Sequence, residues 1–245
     1  MCSAVHDRHW AGYQKSLKEE DSLRKQPNNP TILALETGIG GGSISLYRET
    51  SELAFIAGDK SVSRSEDIIF NIRSVLLQAE LTLAEIDTLA ISRGPGSFTG
   101  LRIGLATALG LMRSLEIPCV GVPLIDAIVA AHKSELPLTV VLPMGKYEVV
   151  WKTYLVAPSV NSSEQGSVCS IDDIWSAADF SMPIKFLVHE SLCSRLPKPF
   201  PGAVHLESLG FNLSKFVASQ SGIWSGSTDL SPIYLQNPAK RSNLF

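Results

Sequence analysis

The chain has 245 residues, of which 44% are hydrophobic and 18% charged, enough for one large domain or two lobes with their own cores. The net charge of -3 and the scattered Lys and Arg residues argue against a protein that grips an RNA backbone alone, because phosphate contacts favour a basic stripe. The four cysteines have irregular spacing, and no apolar run is long enough to span a membrane, so we expect a reduced cytoplasmic protein.

The N-terminal residues 1–29 are polar and lack the apolar segment of a signal peptide, so they predict a flexible extension. Strands follow at 31–36, 43–48 and 52–58. A glycine-rich turn at 38–42 joins the first two strands, which predicts a hairpin.

Helical spacing of apolar residues predicts a helix at about 65–80 and a second one at 98–115. Strands are predicted at 87–92, between these helices, and at 118–122 after them. The order β-β-β-α-β-α-β predicts an α/β fold, an RNase H-like or actin-like lobe with a mixed sheet flanked by helices.

The second half is less regular in its pattern. Strands are predicted at 138–142, 146–156 and 184–188, helices at 171–178 and 209–219, and a flexible loop at 157–170. We therefore predict three parts: the extension 1–29, an N-terminal actin-like lobe at 30–136, and a smaller, degenerate second lobe at 137–245.

The most informative segment is Gly94-Pro-Gly-Ser-Phe-Thr-Gly-Leu-Arg-Ile-Gly104. Its glycines and proline predict a sharp turn out of a strand, and Ser97 or Thr99 then caps a helix. The segment lacks the Lys-Ser/Thr pair of a Walker A motif, and its third glycine falls one residue late for G-x-G-x-x-G. Turn-and-cap geometry is therefore favoured over a nucleotide loop.

The helix at 98–115 is apolar on nearly all sides. Gly100, Gly104 and Ala108 are spaced four apart and predict a shallow groove where another helix could approach. Two interpretations stay open on the residues alone: the second lobe or the preceding helix covers this apolar surface, or it is a subunit interface.

The segment 94–104 closely resembles the signature of the TsaB (YeaZ) family. Five further segments agree with that family in order: Leu33-Ala-Leu-Glu-Thr-Gly, Ser65-Glu-Asp, Pro118-Cys-Val-Gly-Val, Lys146-Tyr-Glu-Val-Val-Trp and Pro232-Ile-Tyr-Leu. The resemblance covers about 32–239 and is strongest in the first half.

The resemblance implies an actin-like (ASKHA) fold and a degenerate relative of TsaD, which transfers threonylcarbamoyl to tRNA adenosine. It further implies a non-catalytic scaffold subunit that binds a TsaD-like catalytic subunit, with a TsaE-like ATPase, during synthesis of N6-threonylcarbamoyladenosine in tRNAs reading ANN codons. Contact with tRNA would be indirect. The alternatives are an autonomous actin-like ATPase or small-molecule kinase, and a homodimer that uses the same helices on itself.

By the resemblance, the helices at 65–80 and 98–115 pair with the catalytic subunit. The predicted interface residues are Ile69, Ile72, Arg73, Leu76, Phe98, Leu101, Arg102, Leu105, Ala108, Leu109 and Met112. No intrinsic cofactor is expected, while a nucleotide at the subunit junction is left open.

Catalytic residues and a metal site are not expected. TsaD-like enzymes hold metal through an H-x-x-x-H pair, and the corresponding stretch 121–132 contains His132 alone. Glu36 stands where actin-like ATPases place an Asp, so the charge is displaced for phosphoryl transfer. Ser97 does not lie in the G-x-S-x-G motif of a hydrolase nucleophile, which argues against a peptidase.

Overall fold

The computed structural model describes residues 29–57, 64–158, 166–177, 184–198, 204–227 and 229–235. Nearly all of the predicted N-terminal extension lies outside these residues. The described chain contains two five-stranded sheets and six α-helices, with short 3-10 turns between some of them.

The first sheet has the strand order β3-β2-β1-β4-β5. Its strands are antiparallel where they follow one another directly, as in β1-β2 and β2-β3. The pairs β1-β4 and β4-β5, whose strands are separated in the chain by a helix, are parallel. The predicted order of strands and helices is confirmed here. The elements are β1 (Thr31–Glu36), β2 (Ser43–Arg48), β3 (Ser51–Ala57), α1 (Arg64–Gln78), β4 (Thr88–Gly94), α2 (Phe98–Leu115), β5 (Cys119–Pro123) and α3 (Leu124–Ala131).

The second sheet has the order β10-β9-β6-β7-β8, so its strands repeat the arrangement of the first around β6. The sequence pattern did not predict β8, β10, α3 or α5. The helix expected at 171–178 is a 3-10 turn followed by one helical turn, and the one expected at 209–219 begins five residues later, after Gly210 with φ 73°. The elements are β6 (Leu138–Met144), β7 (Glu148–Tyr154), β8 (Ser167–Ser170), α4 (Ile174–Ala177), β9 (Ile184–Val188), α5 (Glu190–Cys193), β10 (Val204–Ser208) and α6 (Ser214–Trp224).

Helices cover both faces of the first sheet. Alternation along β1 sends Leu33 and Leu35 to the core shared with α1 and α2, and Ala34 to the core shared with α3 and α6. A central strand buried on both faces reads as a nearly continuous apolar run, as β1 does.

The two halves share one core. Leu138 and Leu142 of β6 pack in the same cluster as Ala34, and α6 returns from the second half to lie against β1 and β2. The predicted boundary between 136 and 137 falls between α3 and β6 and separates the strands of the two sheets. Helix α6 follows that boundary in the chain but packs on the first sheet, so the division into two lobes stays a prediction.

Candidate functional site

The turn after β1 packs directly against the start of α2. Ser97 caps α2 by accepting a hydrogen bond from the Gly100 amide, and its own amide donates to the Gly38 carbonyl at 2.8 Å. Glu36 is buried, and its Oε1 accepts from the amides of Gly38 at 2.7 Å and Ile39 at 3.1 Å. The carboxylate at the actin-like position is therefore engaged inside its own loop.

The glycines of the motif let two backbones approach. A Cβ on Gly96 would lie 2.7 Å from the Gly38 Cα, and one on Gly100 would lie 2.1 Å from the Thr37 carbonyl oxygen. A Cβ on Gly104 would lie 2.2 Å from the Thr37 Oγ1. The prediction of a groove open to another helix at Gly100 and Gly104 is wrong, because Thr37 of the same chain fills it.

The β1-β2 turn is a hairpin, as predicted. Gly40, Gly41 and Gly42 have positive φ values, a conformation that side chains disfavour, and the Gly42 amide donates to the Ile39 carbonyl at 2.7 Å. His189 of the second half lies beside this turn, since a Cβ on Gly40 would meet its Cε1 at 3.0 Å.

Two histidines of the described residues, His132 and His189, have structural contacts. The His132 Nδ1 donates to the Ile128 carbonyl at 2.7 Å at the end of α3. His189 is buried and its ring bonds the Ser191 hydroxyl at 2.8 Å. In the described ranges, no group of three or more His, Cys, Asp or Glu side chains is placed to hold a metal ion.

Helix α1 presents large apolar side chains on two sides. Ile68, Val75 and their neighbours pack inward. On the other side Ile69, Phe70 and Leu77 are 59%, 67% and 78% exposed. We call these three residues, with the exposed Arg73 between them, the α1 apolar face.

The predicted interface residues divide by burial. Three groups result: Ile69, Arg73, Phe98 and Arg102 are exposed, Leu109 and Met112 are half-buried, and Ile72, Leu76, Leu101, Leu105 and Ala108 are buried. Members of the last group pack in the chain's own interior and are not available on its surface.

Sequence reasoning missed Phe70 and Leu77, although a signal was present. The runs Ile68-Ile-Phe70 and Val75-Leu-Leu77 place three apolar residues in a row. Consecutive residues on a helix are 100° apart, so three in a row exceed one face and one side chain must point outward.

Helix α2 also has an exposed side. Phe98, Arg102 and Ala106 follow one another at intervals of four and are exposed, and Gly110 continues the row. A Cβ on Gly110 would meet nothing within 4 Å, so this glycine lies in open space. Since α1 and α2 pack on the same face of the first sheet, their exposed sides belong to one side of the molecule.

The described part of the chain holds no helix long and apolar enough to cross a membrane.

Comparisons with known proteins agree with this geometry. A family model described as TsaD, tRNA N6-adenosine threonylcarbamoyltransferase, matches residues 60–201. The tRNA threonylcarbamoyladenosine biosynthesis protein TsaB of Buchnera aphidicola is 30% identical over 129 residues, which cover 51% of this chain and 60% of that protein. TsaB of Escherichia coli is 35% identical over 92 residues, covering 37% of this chain and 39% of that protein.

An uncharacterized protein of Mycobacterium tuberculosis is 31% identical over 141 residues, covering 54% of this chain and 65% of that protein. The matches to these three proteins thus span less than two thirds of their length. The crystal structure of YeaZ from Pseudomonas aeruginosa superposes with a TM-score of 0.59 at 20% identity, covering 84% of this chain and 100% of that chain.

The strand order and this superposition establish the RNase H-like/actin-like fold. The family model covers more than half of the chain, and curated TsaB proteins match at 30 to 35% identity. The chain therefore belongs to the TsaD-like family and, within it, to the TsaB (YeaZ) proteins.

Proposed function

We propose that this protein is a non-catalytic scaffold subunit that binds a TsaD-like catalytic subunit, with a TsaE-like ATPase, in the synthesis of N6-threonylcarbamoyladenosine in tRNA. The observation that carries the proposal is the α1 apolar face in a member of the TsaB family. In this role the protein acts in the cytoplasm and contacts tRNA only through its partners. A nucleotide at the subunit junction is compatible with it.

The exposed apolar area is large for one helix. Covering a fully exposed Leu or Phe contributes about 2 kcal/mol. Ile69, Phe70 and Leu77 are 59%, 67% and 78% exposed, so enclosing them supplies about 4 kcal/mol toward association. The small residues Ala106 and Gly110 on the exposed side of α2 leave room for a partner helix to approach closely. Large exposed apolar side chains grouped in this way mark partner sites.

The competing proposal, an autonomous actin-like ATPase or kinase, has less support. The Glu36 carboxylate, which could organise a metal, accepts hydrogen bonds at Oε1 from two amides of its own loop. On the neighbouring strand, the Ser43 hydroxyl accepts from the amides of Leu213 at 3.1 Å and Ser214 at 2.9 Å. Glu36 is thus engaged within its own loop, and Ser43 joins β2 to the start of α6. A turnover assay of the isolated chain with Mg·ATP tests the alternative directly.

The binding test uses the full chain and the TsaD-like protein of the same organism. Leu77→Glu places a charge on the α1 apolar face at its most exposed residue, and we expect Kd to rise roughly thirtyfold, equivalent to about 2 kcal/mol. The matched control is Leu155→Glu, since Leu155 is 71% exposed directly after β7 in the other half. Leu105 is unsuitable because it is buried and its substitution would disturb folding.

The two variants separate the outcomes. A loss of binding in Leu77→Glu with normal binding in Leu155→Glu supports the interface. Equal Kd values for wild type and Leu77→Glu contradict it. Light scattering of the chain alone reports self-association through the same face, and a dimer that dissociates only in Leu77→Glu would assign the face to a second copy.

A further inference from the structure

Residues 229–235 run back over the first sheet and end beside the start of α2. We call this segment the C-terminal strap. Arg93 at the end of β4 anchors it three times: its carbonyl accepts from the Ile233 amide at 2.7 Å, its Nε donates to the Ser231 carbonyl at 2.8 Å, and its guanidinium pairs with Asp229 at 2.5 Å. The strap is therefore a docked element of the fold.

Two glycines make room for the strap. A Cβ on Gly94 would lie 3.0 Å from the Ile233 carbonyl oxygen, and one on Gly121 would lie 2.4 Å from the Asp229 carbonyl oxygen. Gly94 belongs to the motif 94–104, and the strap contains Pro232-Ile-Tyr-Leu, which also resembles the TsaB family although it lies outside the residues 60–201 that the family model matches. Glycines in β4 and β5 thus provide the space in which the backbone of the strap lies.

The strap ends in a cluster of Phe98, Arg102 and Tyr234. The rings of Tyr234 and Phe98 have centroids 4.9 Å apart, and the Arg102 guanidinium carbon lies 3.6 Å from the centre of the Phe98 ring. The Arg102 Nε donates to the Tyr234 hydroxyl at 3.1 Å. An exposed arginine side chain is thus held by ring stacking and by a hydrogen bond at once.

This cluster has the composition and rigidity of a binding hot spot. Tyr and Arg are enriched among the residues that dominate binding energy, and side chains already fixed lose less conformational freedom when a partner docks. Phe98 remains 52% exposed with the strap in place, so the strap presents this ring and does not cover it. Phe98 and Arg102 also lie in the exposed row of α2 that the proposed partner would contact.

We propose that the C-terminal strap completes the partner-binding face, with Tyr234 as a positioning residue that holds Phe98 and Arg102 in the conformation that binds. The proposal rests on the proposed function, because it concerns the same face and the same TsaD-like partner. Tyr234 acts through its two neighbours, so its effect requires their presence.

The experiment titrates the full chain with the TsaD-like protein of the same organism. We expect Tyr234→Ala to raise Kd about tenfold and Tyr234→Phe, which keeps the ring but loses the bond to Arg102, about threefold. The matched control is Tyr147→Ala, since Tyr147 is exposed beside Lys146, whose Nζ lies 5.1 Å from its ring, in the second half. That control should bind like wild type.

A double-mutant cycle separates positioning from general structural support. In a Phe98→Ala/Arg102→Ala background, Tyr234→Ala should have no further effect on Kd, because the residues it positions are gone. An undiminished loss in that background overturns the proposal, as does an unchanged or tighter Kd for Tyr234→Ala alone. If wild type fails to bind, the proposed function fails and this inference with it. If wild type binds and Leu77→Glu does not, while Tyr234→Ala is neutral, only this inference fails.

Discussion

Substitution of Gly100 tests why the motif contains glycine. An alanine Cβ at this position would lie 2.1 Å from the Thr37 carbonyl oxygen, far inside contact distance. That backbone is held on both sides, by the bonds from the Gly38 and Ile39 amides to Glu36 and from the Ser97 amide to the Gly38 carbonyl. The obstacle cannot rotate away as a side chain could.

The expected magnitude follows from this clash. Overpacking a tight contact costs about 1 to 3 kcal/mol, and more when backbone must move, whereas alanine gains at most about 1 kcal/mol of helix propensity over glycine. We therefore expect Gly100→Ala to lower the free energy of unfolding by about 3 kcal/mol. In a chain of this size, where 1 kcal/mol shifts Tm by about 2 °C, that lowers Tm by roughly 6 °C.

Gly110→Ala is the matched control in the same helix. A Cβ there meets nothing within 4 Å, so the substitution should raise the free energy of unfolding by about 0.5 to 1 kcal/mol. Urea titrations and thermal melts of wild type and both variants measure the difference. A wild-type Tm for Gly100→Ala, or a larger loss for Gly110→Ala, would refute the close-approach reasoning.

Gly104→Ala offers a rescue within the same contact, because its obstacle is the Thr37 side chain at 2.2 Å. Adding Thr37→Ala should restore much of the lost stability of Gly104→Ala, whereas it should leave Gly100→Ala unchanged. Rescue of both variants, or of neither, would show that side-chain crowding by Thr37 is not the cause.

Two further predictions concern ionisable groups that the fold removes wholly or largely from solvent. Lys152 lies 3.5 Å from Asp126, whose carboxylate also accepts from the Tyr154 hydroxyl. Lys152→Met removes the cation beside this buried carboxylate and should lower the free energy of unfolding in urea by about 3 kcal/mol, and an unchanged value would contradict a stabilising pair. Burial raises the pKa of the Cys119 thiol from 9.0 to about 12, so the unfolded chain loses this proton first as pH rises and stability falls above pH 9.0. Between about pH 8 and about pH 10, wild type should lose about 1.4 kcal/mol more than Cys119→Ala, and parallel curves for the two proteins would refute this.

The sequence alone determined most of the first half. Strands β1 and β2 and helix α2 lie at their predicted positions, because each is marked by a strong local signal: a continuous apolar run, a glycine hairpin, or a capped apolar helix. The family could also be predicted from the sequence, because the segment 94–104 is a compact motif. At each of its glycines a Cβ would come within 3.0 Å of a neighbouring atom.

The elements of the second half were harder to predict, because their local sequence patterns are weak and their strands are defined by pairing with distant strands of the same chain. β8 (Ser167–Ser170) and β10 (Val204–Ser208) are short edge strands of the second sheet as described. Both contain polar residues, so neither has the continuous apolar run that predicts a buried strand. The last four residues of the loop predicted at 157–170 form strand β8 in the structure. Pairing with β7 defines that strand, and strand pairing is a contact between distant residues.

Tertiary structure alone decided which apolar surface stays exposed. Periodicity shows that α1 and α2 have more apolar residues than one face needs, but the neighbour that covers each face comes from elsewhere in the chain. Thr37 fills the glycine groove of α2, the first sheet covers Leu105, and Leu77 is left in the open. Burial is a property of packing between distant segments, and local sequence does not specify it.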